Sequence, residues 1–344
     1  MSIGELYQRA SAFERESRWA DAEMLYRELF EQELTTNSSV LRAVDALRHQ
    51  AIACRRQGRA EEAEELVILS WTMAERCGYI RGAARAVNVL AAVRHSQGDL
   101  AQAKLLYEAA HAMAVDVGDD ELIGFACQNL GILANIAGGL REARTLYLEA
   151  IASAVRSGDV LTAASMYNNL GIVCTDLQEW MDAGLYFDRG IEIAAQTGDT
   201  ALLAALHANR AKPLIQVGEF AQARRSLAAA ETTAACIGDR GTLAEVEVSR
   251  GTISRLESDF AAADGHLTRA LSLTADDSLE REHALALEAF ARLHRDQGRR
   301  PEALERLGQA VAVFRAVGSQ RDAARVEELL ARWRVDADIT AAAR

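Results

Sequence analysis

Residues 158–199 read GDVLTAASMYNNLGIVCTDLQEWMDAGLYFDRGIEIAAQTGD, opening and closing on the same dipeptide. Gly158-Asp159 and Gly198-Asp199 stand 40 residues apart, with Gly118-Asp119 one step before and Gly238-Asp239 one step after. Gly78 and Gly318 keep this register, and Ser38 and Ser278 fill the two remaining slots. A second glycine series lies half a period away, at Gly58, Gly98, Gly138, Gly218 and Gly298. Self-similarity at a fixed period of this size marks a repeat architecture. Two breaks per period leave room for two helices. Glycine ends a helix in the left-handed region at no steric cost, and the Asp after it caps the next helix by accepting its unpaired amide hydrogens.

Small residues recur just as strictly between the breaks. Ala63, Ala103, Ala143, Ala183, Ala223, Ala263 and Ala303 hold one position of the second helix. Ser70, Ala110, Ala150, Gly190, Ala230, Ala270 and Ala310 hold another. The first helix has its own series: Ala51, Ala91, Gly131, Gly171, Ala211, Gly251 and Ala291. Small side chains at fixed positions let helices approach closely, while large ones such as Tyr107, Tyr147, Phe187 and Leu267 fill the gaps. Trp19 and Trp180 share a position with Leu100, Leu140, Phe220 and Phe260, and are expected in the core.

Leu130-Gly131, Ala143, Tyr147 and Ala150, and again Leu170-Gly171, Ala183, Phe187 and Gly190, resemble the tetratricopeptide repeat. The usual period of that repeat is about 34 residues. The longer period here, with Asn-Leu-Gly and a closing Gly-Asp, is similar to the repeats of kinesin light chains, Leu-Gly-Asn repeat proteins and bacterial repeat-containing regulators. The resemblance implies an all-α, right-handed superhelical solenoid of helix-turn-helix repeats. About eight repeats are expected over residues 1–318, then a capping helix at 319–334 and a tail without a periodic core at 335–344. The first repeat is less regular, with Trp19, Ala22 and Tyr26 shifted by one residue. Pro213, inside a first helix, is expected to free the Asn209 carbonyl and bend the helix.

Composition narrows the function. The net charge of −12 argues against a nucleic-acid partner, since phosphate binding needs a basic surplus. The five scattered cysteines contain no C-x-x-C pair and suit free thiols in a reducing compartment, so the cytoplasm is expected. No apolar run is long enough for a membrane span. The seven histidines show no zinc-ligand spacing, and no nucleophile, phosphate-loop or dinucleotide motif occurs. Neither enzyme activity, cofactor nor metal is expected on this reading.

The resemblance implies that the first helix of each repeat lines a concave surface. There Asn129, Asn169 and Asn209 recur at one position, and Asn88, Gln128 and Asn168 at its neighbour. In similar proteins such amides hold the backbone of an extended peptide, for which a carboxamide offers both donor and acceptor. The alternative is that they bridge adjacent repeats. Arg48, Arg55, Arg56, Arg85, His95, Lys212 and Arg255 share these helices and would make a partly basic groove that selects an acidic segment. Asp45, Asp176, Glu245, Glu288 and Asp296 dilute that charge, leaving a mixed solvated face as the rival reading. The expected function is a protein-interaction scaffold or adaptor that binds a peptide in its groove. The alternative is a sensory or docking module of a larger bacterial signalling or transcriptional regulator, and end-to-end self-association is a third reading.

Overall fold

The structure, a computed structural model, describes residues 1–36, 39–276 and 278–342. Ser38, expected in one slot of the Gly-Asp register, lies outside them. Among the described residues the chain is all α-helical, with seventeen helices. Consecutive pairs run α1 (Ile3–Arg15) and α2 (Trp19–Thr36), α3 (Val40–Arg56) and α4 (Ala60–Arg76), α5 (Ile80–Ser96) and α6 (Leu100–Val117), then α7 (Asp120–Ile136) and α8 (Leu140–Ser157). They continue as α9 (Val160–Asp176) and α10 (Trp180–Thr197), α11 (Thr200–Gln216) and α12 (Phe220–Ile237), α13 (Arg240–Leu256) and α14 (Phe260–Leu273), and α15 (Glu280–Asp296) and α16 (Arg300–Ala316). The last helix, α17, spans Gln320–Ala342 and so continues past the end expected at 334.

The turns are made as the chemistry of the repeat requires. Gly118, Gly198 and Gly238 have φ of 63°, 74° and 71°. The Asp after each accepts the amide hydrogen of Leu122, Leu202 or Thr242 at 3.3, 3.0 and 3.0 Å. In the second series two slots lack glycine, yet Gln178 and Ser258 take the same left-handed conformation, with φ of 62° and 65°.

Two compact units make up the chain: Met1–Leu133 with Thr145–Asp159, and Ala134–Arg144 with Val160–Arg344. In the first unit, Leu6, Ala22, Tyr26 and Leu29 form the core at one end, and Ala91, Ala103, Tyr107, Leu130 and Leu133 a core further along. Gly131 faces the Tyr147 ring so closely that a methyl group on it would lie 2.7 Å from Cε1. In the second unit Ala211, Ala223, Leu227, Ala230 and Ile253 form one core cluster, and Leu287, Leu307, Phe314, Val326 and Trp333 another that seats α17 on α15 and α16. Gly171 and Gly251 stand to Phe187 and Leu267 as Gly131 does to Tyr147, at 2.6 and 2.8 Å. The small residues are therefore where large side chains of the paired helix enter.

One expectation needs adjusting. Trp19 and Trp180 are half-buried rather than core, because each is the first residue of its helix and a turn leaves one side open. Helix α11 runs on through the buried Pro213 to Gln216. No described helix is long and apolar enough to cross a membrane.

Candidate functional site

In the first unit, α3, α5 and α7 place their sequence-predicted polar residues around one cavity of about 580 Å³. Arg55 and Arg56 come from the last turn of α3, Asn88 and His95 from α5, and Gln128 and Asn129 from α7. Ile52, Val89, Ala92, Tyr107 and Phe125 supply apolar walls. Each polar residue arrives by helical spacing: His95 stands seven positions after Asn88, two turns along the same face. Phe125 was not singled out from sequence. It precedes Asn129 by four residues, the spacing that stacks two side chains on one face, and that signal identifies it.

The cavity is electropositive and incompletely satisfied. No acidic side chain is among its lining residues. Burial, and then Arg56, push the Arg55 guanidinium below its usual value. Burial, and then Arg55, do the same to His95. Arg55 Nε and Asn88 Oδ1 are buried without a hydrogen-bond partner among the described residues. An unsatisfied buried polar atom costs about 1–3 kcal/mol, so an occupant that pairs with these groups gains on both counts.

The other sequence-predicted residues are engaged within the chain. Arg48 donates to Asp45 at 3.3 Å and to His49 Nε2 at 2.9 Å. Arg85 holds Asp119 through two bonds of 2.8 and 3.1 Å and reaches Glu121 at 2.6 Å. In the second unit, Asn209 is buried and donates to Asn168 Oδ1 at 3.0 Å, bridging α11 and α9. Lys212 donates to Asn209 Oδ1 and to Glu245, both at 2.8 Å. That positive charge is the leading cause holding the Glu245 carboxyl below its usual range. Arg255 pairs with Asp296. Asn169 is half-buried on α9 beside Asn168.

The acids that dilute the charge of a basic groove in sequence are the partners of specific bases. Asp176 and Glu288 complete the set. Arg321, in the first turn of α17, donates to Asp176 at 2.8 Å and to Asn135 at 2.9 Å. Glu288 receives Arg325 at 2.7 Å on each oxygen and Arg292 at 2.8 Å. A second cavity of the first unit, about 450 Å³ at the turns near Arg81, is acidic, and Asp119, Asp120 and Glu121 there already meet Arg85 and Arg156.

No family model matches the sequence, and no curated protein matches it. Solved structures do resemble the fold. A Rap protein complexed with Competence and Sporulation Factor has a TM-score of 0.59 at 14% identity, covering 97% of each chain. A tetratricopeptide repeat protein from Parabacteroides merdae has a TM-score of 0.58 at 13% identity, over 83% of this chain and 98% of its own. A signal-transduction ATPase from Pyrococcus horikoshii with a tetratricopeptide repeat sensor has a TM-score of 0.62 at 15% identity, over 91% of this chain and 48% of its own. Identities this low speak to the fold alone. With the 40-residue register and the helix pairs it produces, they make this chain, by fold, a tetratricopeptide-type repeat protein.

Proposed function

We propose that this chain is a protein-interaction adaptor whose working surface is the first unit's cavity, and that the segment bound there is an extended peptide carrying an acidic group. The observation behind this reading is the pairing of three carboxamides, Asn88, Gln128 and Asn129, with Arg55, Arg56 and His95 where no acid lines the walls. Carboxamides suit a peptide backbone whatever its side chains, the Arg55 and Arg56 guanidinium groups suit a carboxylate, and His95, held below its ordinary value, offers a neutral ring that donates or accepts one hydrogen bond. The apolar walls would take a flanking hydrophobic side chain. A protein of similar fold has been found in complex with a factor, which fits a binding role.

A second reading has its own support. The Pyrococcus horikoshii protein carries its repeats as a sensor within a chain about twice the matched length. On that reading the same cavity would receive a signal for an output domain elsewhere.

Selection from a random peptide library against the intact protein tests the binding role. Enriched peptides should contain an acidic residue, and Arg55→Ala or Asn129→Ala should weaken them at least tenfold while circular dichroism stays unchanged. Lys212→Ala, which removes the bonds to Glu245 and Asn209 in the second unit and lies outside the cavity lining, should leave them bound. Failure to enrich any peptide, or equal binding by all variants, rules the cavity out.

A further inference from the structure

The first unit brings three potential metal ligands together from three consecutive helices: His111 on α6, Cys127 on α7 and Glu149 on α8. Their ring nitrogen, thiol sulfur and carboxylate oxygen all lie within 4.8 Å of one another, with His111 Nε2 and Glu149 Oε1 at 3.1 Å. We propose that these side chains form a site for a zinc-class divalent cation, held by three protein ligands with one position left to water.

The donor set chooses the metal. Zinc accepts imidazole, thiolate and carboxylate together in a tetrahedron, whereas calcium and magnesium take oxygen ligands. Zinc bonds of about 2.0–2.3 Å set ligand-to-ligand edges of roughly 3.3–3.8 Å. The His111–Glu149 separation of 3.1 Å falls just short of that range, and the Cys127 sulfur, within 4.8 Å of both, needs at most about 1 Å of movement.

Burial fits as well. Cys127 is fully enclosed while His111 and Glu149 are partly open to solvent, so the site has a closed floor and an entry path. Burial, with Glu149 adding to it, pushes the Cys127 thiol up to about 12. A dication removes the repulsion between thiolate and carboxylate, and the thiol proton leaves to solvent as the metal–sulfur bond forms. Arg156, close enough to feel the charge of Glu149, spends its hydrogen bonds elsewhere, donating to Asp120 and Ser153 at 2.8 and 2.7 Å.

A contrasting cluster, Glu23, Cys54 and Glu62, is already neutralised. Arg59 binds both of its carboxylates and Arg27 binds Glu23 at 2.9 Å. The His111 site escapes a search of linear motifs because its ligands lie on separate helices. None of its three ligands lines the peptide cavity, and a bound ion would pin α6, α7 and α8 to one another.

The test is a Co²⁺ titration of the intact, chelator-treated protein, followed by displacement with Zn²⁺. Wild type should show a thiolate-to-cobalt charge-transfer band with the strong visible bands of tetrahedral cobalt, saturating at one equivalent and lost on adding Zn²⁺. Cys127→Ser should abolish the band and Cys54→Ser should keep it. His111→Gln and Glu149→Gln, at partly exposed positions that do not threaten folding, should each weaken binding by about tenfold or more. These two decide the matter if Cys127→Ser fails to fold. The proposal is overturned if wild type gives no charge-transfer band. It is equally overturned if the band survives in Cys127→Ser or binds as tightly in both His111→Gln and Glu149→Gln.

Discussion

Gly171 on α9 lies so close to the ring of Phe187 on α10 that a methyl group on its α-carbon would sit 2.6 Å from Cε1. Alanine holds the corresponding position before Val67, Leu227 and Leu307, and also before Tyr107, so it is the close seating of the Phe187 ring, rather than ring type alone, that leaves Gly171 no room. Gly171→Ala should therefore overpack the pair and lower stability by about 1–3 kcal/mol in urea unfolding. Adding Phe187→Leu should return part of the loss. No rescue would mean that the glycine is needed for backbone reasons instead.

The turn at Gln178 and the one at Ser258 supply a gain in the opposite direction. Both residues hold φ above 60° where the other turns of this series have glycine. The left-handed region costs an L-residue about 1–2 kcal/mol, and glycine returns part of that through its freer unfolded chain. Gln178→Gly and Ser258→Gly should each raise stability by about 0.5–1 kcal/mol, read as a higher urea midpoint at unchanged slope.

These cases show what the sequence alone could carry. Glycine registers and alanine ladders are legible because each acts through its own backbone or its own small volume, so periodicity alone reveals it. The ion pairs are a different kind of information. Lys212 meets Glu245 and Arg255 meets Asp296, in each case about one repeat away, and the period fixes that distance without fixing the partner. The site residues divided for the same reason. Asn209 shares the register of Asn129, and Asn168 that of Asn88 and Gln128, yet Asn168 and Asn209 bond to each other while the other three border the cavity. Which carboxamide faces a neighbour depends on how adjacent helices pack, and a linear pattern does not state that.

Glu288 makes the acid response of the second unit predictable. Burial would push its carboxyl up, but the hydrogen bonds and charge of Arg325, then Arg292, bring it below the usual value. A depressed carboxyl pKa gives stability that is full above the unfolded value of about 4.3 and is lost as pH falls through the folded value. Glu288→Gln should lose about 1–3 kcal/mol at neutral pH, the half-exposed arginines screening the rest. The urea midpoints of wild type and variant should converge below pH ~4.

The histidines act in a higher window. His49, His95, His207 and His294 are all held below the ordinary value, with burial the leading cause in each. Each therefore binds a proton more readily unfolded than folded. Stability should be full above the unfolded pKa of about 6.5 and decline as pH drops from there toward the folded values. His49, stacked on Tyr26 at 4.9 Å, is a suitable probe. His49→Gln should lower the midpoint at neutral pH and flatten its slope against pH across this window. A midpoint indifferent to pH there would contradict the assignment.

The bond from Arg321 to Asp176 crosses 145 positions of sequence. Most contacts of a repeat array join neighbours, so such an array loosens from its ends inward, one helix pair at a time. Arg321 removes one loose end, because freeing the first turn of α17 also means leaving α9. A half-exposed ion pair of this kind contributes under about 1 kcal/mol, so it alters total stability little. Its effect is on the order of events: fraying that starts at the first turn of α17 is discouraged, because that turn is tied to α9 as well as to its neighbours.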